Sequence, residues 1–169
     1  MVRQVQSVGS AMSAIYHEKQ QAAMCGMHAL NNAMGFPYHS ASDMEHALMT
    51  YLADANFEGL PEEEDDHAAP GGWFSSEVLA FAMRSTPLRR GAPIEYVLTL
   101  EVLKREPHLI HHCVGAVVNQ ANTHWVALRS IEGSVWLIDS NAPAPRLLSL
   151  DQYIAFINRY VDAFPIRRV

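Results

Sequence analysis

The sequence has little that would cross-link a small fold or carry it through a membrane. Its 169 residues include two cysteines, Cys25 and Cys113, too few and too far apart for the disulfide framework of a small secreted domain. No apolar run reaches the roughly 18 residues that a membrane-spanning helix requires. We therefore expect free thiols, an intracellular reducing compartment such as the cytoplasm or nucleus, and no membrane span.

Positive charge is also scarce. Twelve Lys and Arg stand against 18 Asp and Glu, a net charge of −6, whereas nucleic-acid binders carry a basic patch. The acidic run Pro61–Asp66 is expected to be a solvated loop.

No repeat or linker divides the chain, so we expect one domain over residues 1–169, acting as a monomer. Residues 1–14 lack the apolar core of a signal peptide and are expected to be a loose lead-in.

Helical patterns come first along the chain. The first helix is predicted from about Ala22 to Met34, with Gly35 ending it. A capping box from Ser42 to Glu45 predicts the start of a second helix, because each side chain can bond the other's backbone donor. A third helix is predicted over Ser75–Arg84, before Pro87 stops it.

Strand patterns dominate the second half of the chain. Four segments are rich in β-branched or aromatic residues and are bounded by turn residues: Ile94–Leu98, Cys113–Asn119, His124–Ser130 and Ser134–Ser140. Gly133 joins the last two as a hairpin. A capping box from Ser149 to Gln152 opens a helix expected to bury Leu150, Ile154, Ile157 and Val161, and a final strand follows. Helices first and antiparallel strands later predict an α+β fold.

The segment YHEKQQAAMCGMHALNNAMG, residues 16–35, puts Cys25 at the front of a helix with Gln20 five residues earlier. A helix N-terminus carries about half a positive charge and unpaired N–H groups. A thiol there ionises more easily, and the N–H groups can hold the oxyanion that forms when a thiolate attacks a carbonyl. The amide of Gln20 supplies a second donor. This pattern indicates acyl transfer with Cys25 as the nucleophile.

A thiolate nucleophile needs an imidazole partner and a third group that orients it. His124 opens a predicted strand far downstream, which suits a base that is adjacent in space rather than in sequence. The facing strand offers Asp139 and Asn141 on one face. A two-residue loop sets His124 opposite Asn141 with Asp139 diagonal, and a three-residue loop changes that register. Spacing leaves the choice open.

Three blocks of the chain, in order, resemble the Josephin family of deubiquitinating cysteine proteases. The first is YHEKQQAAMCGMHALNN, the second is GGWFSSEVLAFAM and the third is THWVALRSIEGSVWLIDS. The resemblance implies a papain-like cysteine protease fold, with the catalytic helix and a helical arm packed on the sheet. It carries the family's nucleophile onto Cys25, its oxyanion glutamine onto Gln20, its base onto His124 and its third catalytic residue onto Asp139. The helical arm corresponds to Ser40–Asp66.

The reaction that the resemblance implies is hydrolysis of a bond at the C-terminus of ubiquitin, through a thioester and without a cofactor. The partners implied are ubiquitin, polyubiquitin chains or a ubiquitin-like protein. We place the Gly-Gly tail of ubiquitin in a slit beside the Cys25 helix, as a hypothesis from a glycine pair next to two aromatic residues. The residues expected to bind substrate are Gly72, Trp73, Phe74 and Trp125.

Other histidines and amides near Cys25 are interpreted as structural. His17 is expected to form a structural hydrogen bond, and His28 to pack or to form a supporting hydrogen bond. Asn31 and Asn32 are poor helix formers, so at least one of them is expected to tie the helix to a neighbouring loop. The cluster HLIHHC, His108–Cys113, has the donors of a zinc site but lacks the second ligand pair that such sites use. We interpret it as the start of a strand with exposed histidines, and expect no metal.

Alternative functions remain open at this level. Papain-like peptidases that remove double-glycine leader peptides share the order of Gln, Cys, His and Asp. A ubiquitin-binding module without catalysis would keep the fold and lose the reaction. A zinc-binding interaction domain would use the HLIHHC cluster. Cleavage of ubiquitin substrates, cleavage of leader peptides and metal content distinguish them.

Overall fold

Helices pack on both faces of a six-stranded antiparallel sheet, as the α+β prediction requires. The computed structural model describes residues 15–21, 24–60, 62–69, 73–99, 103–121, 123–160 and 162–169. The helices are α1 (Cys25–Met34), α2 (Ala41–Phe57), α3 (Glu64–His67), α4 (Ser76–Arg89) and α5 (Leu150–Arg159), with 3₁₀ helices at Leu103–Arg105 and Pro107–His111. Over those described ranges, none of the helices combines the length and apolar character needed to cross a membrane.

The sheet has the strand order β3-β8-β4-β5-β6-β7, with every neighbouring pair antiparallel. Its strands are β3 (Tyr96–Leu98), β4 (Gly115–Gln120), β5 (His124–Ile131), β6 (Ser134–Ile138), β7 (Arg146–Leu148) and β8 (Asp162–Arg168). A separate two-stranded ribbon pairs β1 (Ala68–Ala69) with β2 (Trp73–Phe74). Alternate residues of the central strands point to opposite faces, so two hydrophobic cores form, one under α1 and one under α5.

Helix α1 is buried along almost its whole length between the sheet and α4. It ends where Gly35 adopts a φ of +86°, the left-handed cap that glycine permits. Its predicted start was too early, because Met24 is the N-cap and Cys25 is the first helical residue. Ala22 and Ala23 lie outside the described residues. The correction moves Cys25 from within the helix to its first position.

The capping box of α2 also differs from the prediction. Ser40, not Ser42, is the N-cap, and it exchanges hydrogen bonds with Asp43. Asp43 is buried and pairs with Arg89 and Arg90. The observed box satisfies the backbone N–H groups of Ser40 and Asp43 in the same way as the predicted box would those of Ser42 and Glu45. The two ion pairs hold Asp43 in place.

Helix α4 continues past the residue predicted to stop it. Pro87 lies inside its last turn, and the helix runs on to Arg89. A proline there removes one hydrogen bond, from its missing N–H to the carbonyl of Met83, and the remaining residues complete the turn. The acidic run is partly helical as well, because exposed Glu64–Asp66 lie in α3. Pro61 lies outside the described residues.

The hairpin between β5 and β6 has a two-residue turn. Glu132 and Gly133 have φ values of +52° and +80°, and Ile131 pairs with Ser134 across it. Positive φ at both positions defines the type I′ turn, whose twist matches that of the flanking strands. Gly133 thus has the predicted role, and the short loop settles the register that spacing left open.

The C-terminal helix and the histidine cluster depart from expectation. The capping box from Ser149 to Gln152 is confirmed, but Leu150 is 70% exposed while Tyr153 and Ile157 are buried. Val161 lies outside the described residues. The cluster His108–Cys113 begins in a 3₁₀ helix rather than a strand, although its histidines are exposed as expected. Pro107 at the first turn of that helix favours the helical start.

We predict that Gly115→Ala strongly destabilises the protein. A Cβ at Gly115 would lie 2.2 Å from the carbonyl oxygen of Ala33 in α1 and 3.0 Å from that of Leu128, so two backbone segments would have to separate. We expect a loss of about 3 kcal/mol or more in the free energy of unfolding, measured by urea denaturation.

The matched control is Gly91→Ala. Gly91 has a φ of +68° and no atom within 4 Å of an added Cβ, so backbone strain alone costs about 1–2 kcal/mol. Equal losses for the two variants would contradict the close packing of α1 on β4.

Candidate active site

The nucleophile candidate Cys25 lies at the mouth of α1. Its side chain is 4% exposed, and the N-cap Met24 makes no side-chain cap with the first turn. The amides of that turn are therefore not consumed by a cap and can bind an oxyanion beside the sulfur. Residues of the core below, including Ala29 and Leu30, anchor the helix on the sheet.

His124 connects Cys25 to a carboxylate. It is the first residue of β5, and its Nε2 donates to Oδ1 of Asp139 at 2.8 Å. The Cys25 thiol interacts with the same ring. The hydrogen bond to Asp139, then the interaction with Cys25, raise the pKa of His124 to about 9 against the opposing effect of burial. The imidazole is therefore held as a cation between the sulfur and the carboxylate at neutral pH.

Asp139 rather than Asn141 contacts His124. The hairpin register places Asn141 formally opposite His124, but β6 ends at Ile138 and the chain turns away. The exposed Asn141 contributes its backbone N–H, which donates to Oδ1 of Asp139 at 2.9 Å. Burial alone would raise the pKa of Asp139, yet the hydrogen bonds from His124 and Asn141 outweigh it and lower that pKa. Asp139, which is diagonal to His124 across the hairpin, therefore stays ionised and orients the imidazole ring of His124.

Gln20 is held against the turn that follows β6. Its backbone N–H donates to the carbonyl of Ser140 at 2.8 Å, and its side-chain Oε1 accepts from the Ser140 hydroxyl at 3.2 Å. With Oε1 engaged, the side-chain NH₂ group is left to donate, which is the role predicted for an oxyanion glutamine. His17 in the same segment donates to the carbonyl of Asp139 at 2.8 Å.

Glu18 ties the same segment to α1. Its carboxylate accepts from Nδ1 of His28 at 2.7 Å and from the Asn31 amide at 3.0 and 3.1 Å. The Asn32 side chain bonds both the N–H and the carbonyl of Glu18, at 2.6 and 3.2 Å. Nε2 of His28 accepts from the N–H of Gln21 at 3.3 Å. We call this segment, residues 15–21, the clasp.

Sequence reasoning missed Glu18 and Ser140. The signal for Glu18 was present, because buried asparagines and a histidine in a helix need partners, and a carboxylate stood nearby in the chain. Ser140 had no comparable signal, since a serine ending a strand is an ordinary turn residue. The supporting hydrogen bonds expected of His17, His28, Asn31 and Asn32 are present in the structure.

The four residues expected to bind substrate differ in how far the structure exposes them. Gly72 lies outside the described residues, and Trp73 is half-buried in β2. Trp125 is 0% exposed, and its indole N–H donates to the carbonyl of Phe74 at 2.8 Å. Phe74 is itself buried. Trp125 and Phe74 therefore belong to the core, and contact between the Trp125 side chain and a substrate does not fit its burial.

The second thiol lies in a different environment. Cys113 is half-buried beside the 3₁₀ helix, and burial raises the pKa of its thiol to about 11. Both cysteines are free. In the part of the chain that the structure describes, no three His, Cys, Asp or Glu side chains converge in a way that would hold a metal ion.

Comparisons with known proteins identify related sequences. The Josephin family profile matches residues 20–163. The chain is similar to an ataxin-3 homolog of Arabidopsis thaliana, 26% identical over 85% of this chain and 54% of that protein. It is also similar to a Josephin-like protein of Drosophila melanogaster, 27% identical over 82% of this chain and 64% of that protein. The chain thus spans about half to two thirds of the length of these relatives.

We predict that the ring of His124 titrates near pH 9 and that Asp139→Ala moves the midpoint down towards 6.5, because its largest stabilising bond is lost. Since the folded-state pKa is raised, this bond stabilises the fold fully below pH 6.5 and the contribution disappears as the pH rises through about 9. NMR of the histidine ring carbons measures the midpoint.

The control for this titration is Asp151→Ala, which removes an exposed carboxylate from the first turn of α5. It should leave the His124 midpoint in place. An unchanged midpoint in Asp139→Ala would show that the carboxylate does not set the charge of the ring.

Proposed function

The chain belongs to the Josephin family, a family of deubiquitinase-type cysteine proteases, and on this premise we propose that it hydrolyses bonds to the C-terminus of ubiquitin. The observation that carries the proposal is the hydrogen bond of His124 to the Asp139 carboxylate at 2.8 Å, made by an imidazole that also interacts with the Cys25 thiol. A binding module without catalysis has no need of this arrangement.

In the proposed reaction, the sulfur of Cys25 attacks the carbonyl carbon of the terminal glycine of ubiquitin. The resulting oxyanion accepts hydrogen bonds from the first-turn amides of α1 and from the Gln20 side chain. Collapse of the tetrahedral intermediate breaks the C–N bond, and His124 gives its proton to the departing lysine amine. A thioester to Cys25 remains.

Hydrolysis of the thioester reverses these roles. The now neutral ring of His124 takes a proton from water, whose oxygen attacks the thioester carbonyl. The second tetrahedral intermediate expels the Cys25 thiolate and releases ubiquitin with a free carboxylate. Asp139 holds the ring through Nε2 in both halves, so Nδ1 stays directed at the reacting atoms. No external cofactor enters either step.

The proposed path for the Gly-Gly tail runs between the start of α1 and the ribbon strand β2. Trp73 lies half-buried there, and within the described residues its indole N–H has no hydrogen-bond partner. A peptide carbonyl in the slit would satisfy that donor.

The arm predicted over Ser40–Asp66 contains α2 and α3, and the ion pairs of Asp43 connect α2 to the end of α4.

We predict that ubiquitin carrying a C-terminal vinyl electrophile labels the wild-type protein on Cys25. Cys25→Ala should abolish labelling, because no other thiol sits beside the imidazole, and His124→Ala should slow it by about 100-fold or more. Mass spectrometry of the adduct gives the measurement. Cys113→Ala is the matched control and should label at the wild-type rate.

Two outcomes would contradict the proposed function. Failure of the wild type to react with the ubiquitin electrophile would indicate a binding module. Cleavage of a double-glycine leader peptide without cleavage of a ubiquitin–fluorophore conjugate would indicate a peptidase of another class.

We predict that Ser140→Ala lowers kcat for ubiquitin–fluorophore hydrolysis by about tenfold with KM unchanged, since the Gln20 amide loses its orientation. Gln20→Ala should cost about 100-fold, the typical effect of a lost oxyanion donor. Ser140→Thr keeps the hydroxyl and should retain activity. In the Gln20→Ala background Ser140→Ala should have no further effect.

The control for Ser140→Ala is the rate at which iodoacetamide alkylates Cys25. Alkylation forms no oxyanion, so a defect confined to Gln20 leaves that rate unchanged. Slower alkylation would show that the substitution disturbs the Cys25–His124 pair instead.

A further inference from the structure

A cavity of about 510 Å³ adjoins the proposed catalytic pair on the side away from α1. The loop after β6, the edge strand β7 and the end of α5 form its walls. Its volume falls in the range of sites that bind small ligands or a few side chains. The residues that line it are Gln120, Leu137, Asp139, Ala142, Pro143, Ala144, Arg146, Phe156, Arg159 and Tyr160.

The charge of this cavity is opposite to that of the protein. Arg146 and Arg159 are both exposed at its edge in a chain of net charge −6. Across the described ranges neither guanidinium forms an ion pair, and that of Arg159 lies 5.7 Å from the ring centre of Tyr160. Asp139 is the one carboxylate of the lining, and His124 and the Asn141 N–H already engage it.

The position of the cavity relates it to the leaving group. Gln120 of its lining pairs directly across β4 and β5 with His124, and Asp139 of its lining holds the His124 ring. The proposed reaction requires the departing amine to lie against that ring when it takes the proton. The amine takes its proton at Nδ1, and the cavity lies beyond the other edge of the same ring, where Nε2 bonds Asp139. Residues next to the scissile lysine would reach the cavity by passing that edge, on the side away from the ubiquitin tail.

We propose that this cavity is a leaving-group subsite that binds an acidic side chain next to the scissile lysine, an inference that rests on the proposed function. Arg146 and Arg159 supply donors matched to a carboxylate. Leu137, Phe156 and Pro143 supply apolar surface for the aliphatic part of a glutamate. The subsite gives the enzyme a preference for the sequence around the modified lysine, independent of the ubiquitin that it removes.

The test compares three substrates that differ in the residues beside the lysine. Ubiquitin is joined by an isopeptide bond to a lysine flanked by Glu, by Gln or by Lys on each side. We expect the wild type to favour the Glu-flanked over the Gln-flanked substrate in kcat/KM by about fivefold, the size of two solvent-screened ion pairs. The preference should shrink in 0.5 M NaCl, at which screening is stronger.

Variants assign the preference to the cavity. Arg146→Gln with Arg159→Gln should bring the Glu to Gln ratio to about one, and Arg146→Glu with Arg159→Glu should favour the Lys-flanked substrate. The ratio within each variant corrects for any general loss of folding or activity. The matched control is Lys104→Gln with Arg105→Gln, two exposed cations outside the lining, and it should keep the wild-type ratio.

Several outcomes would overturn the subsite. These are a wild-type ratio of one, or a preference that survives in the Arg146→Gln and Arg159→Gln double variant. Equal inhibition of all three substrates by sodium phosphate, lost in that variant, would assign the cavity to a free anion instead. In each of these outcomes the wild type still hydrolyses a ubiquitin–fluorophore conjugate, so only the subsite is overturned. Loss of that hydrolysis would overturn the proposed function itself.

Discussion

The site depends on one short segment, the clasp of residues 15–21, which is hydrogen-bonded to two separate elements, helix α1 and the turn that follows β6. On one side Glu18 binds the buried amides and imidazole of α1. On the other, His17 and Gln20 bind the carbonyls of Asp139 and Ser140. The proposed nucleophile, Cys25, comes from a helix and the proposed orienting carboxylate, Asp139, from a hairpin, and this segment is hydrogen-bonded to both elements. Gln20, the proposed oxyanion donor, lies within the clasp itself, so its position is fixed by the same bonds.

The chemistry that this arrangement supports follows from the charge of one ring. His124 lies between a sulfur and a carboxylate, and these two acceptors outweigh the cost of burying a cation. An uncompensated imidazolium in the same place would lose its proton. The carboxylate is stabilised in turn by a backbone N–H two residues later. His124 and Asp139 therefore each keep their charge through a neighbour, and both charges depend on the hairpin that brings the two side chains together.

Much of this could be predicted from the sequence, for identifiable reasons. The proposed roles of Cys25 and His124 could be predicted because a cysteine at the start of a helix and a histidine at the start of a distant strand are typical of a nucleophile and its base. Spacing could not choose Asp139 over Asn141, because the choice depends on where β6 stops pairing and the chain turns; the family resemblance alone indicated Asp139. The capping box moved to Ser40 because a tertiary ion pair selected between two similar local patterns. The role expected of Trp125 failed because adjacency in sequence to His124 puts its side chain on the opposite face of the strand, in the core.

The close contact between α1 and β4 has a consequence for variation within such a fold. At Gly115 the backbone of β4 lies directly against the backbone carbonyl of Ala33 in α1. Side-chain volume therefore does not set the distance from helix to sheet at that point. Neighbouring core positions can exchange one apolar residue for another and reshape the walls around the reacting atoms. The distance of the Ala33 end of α1 from the sheet stays constant meanwhile, because the radii of backbone atoms define it. The walls of the site can thus vary while the seating of the helix that carries Cys25 is inherited unchanged.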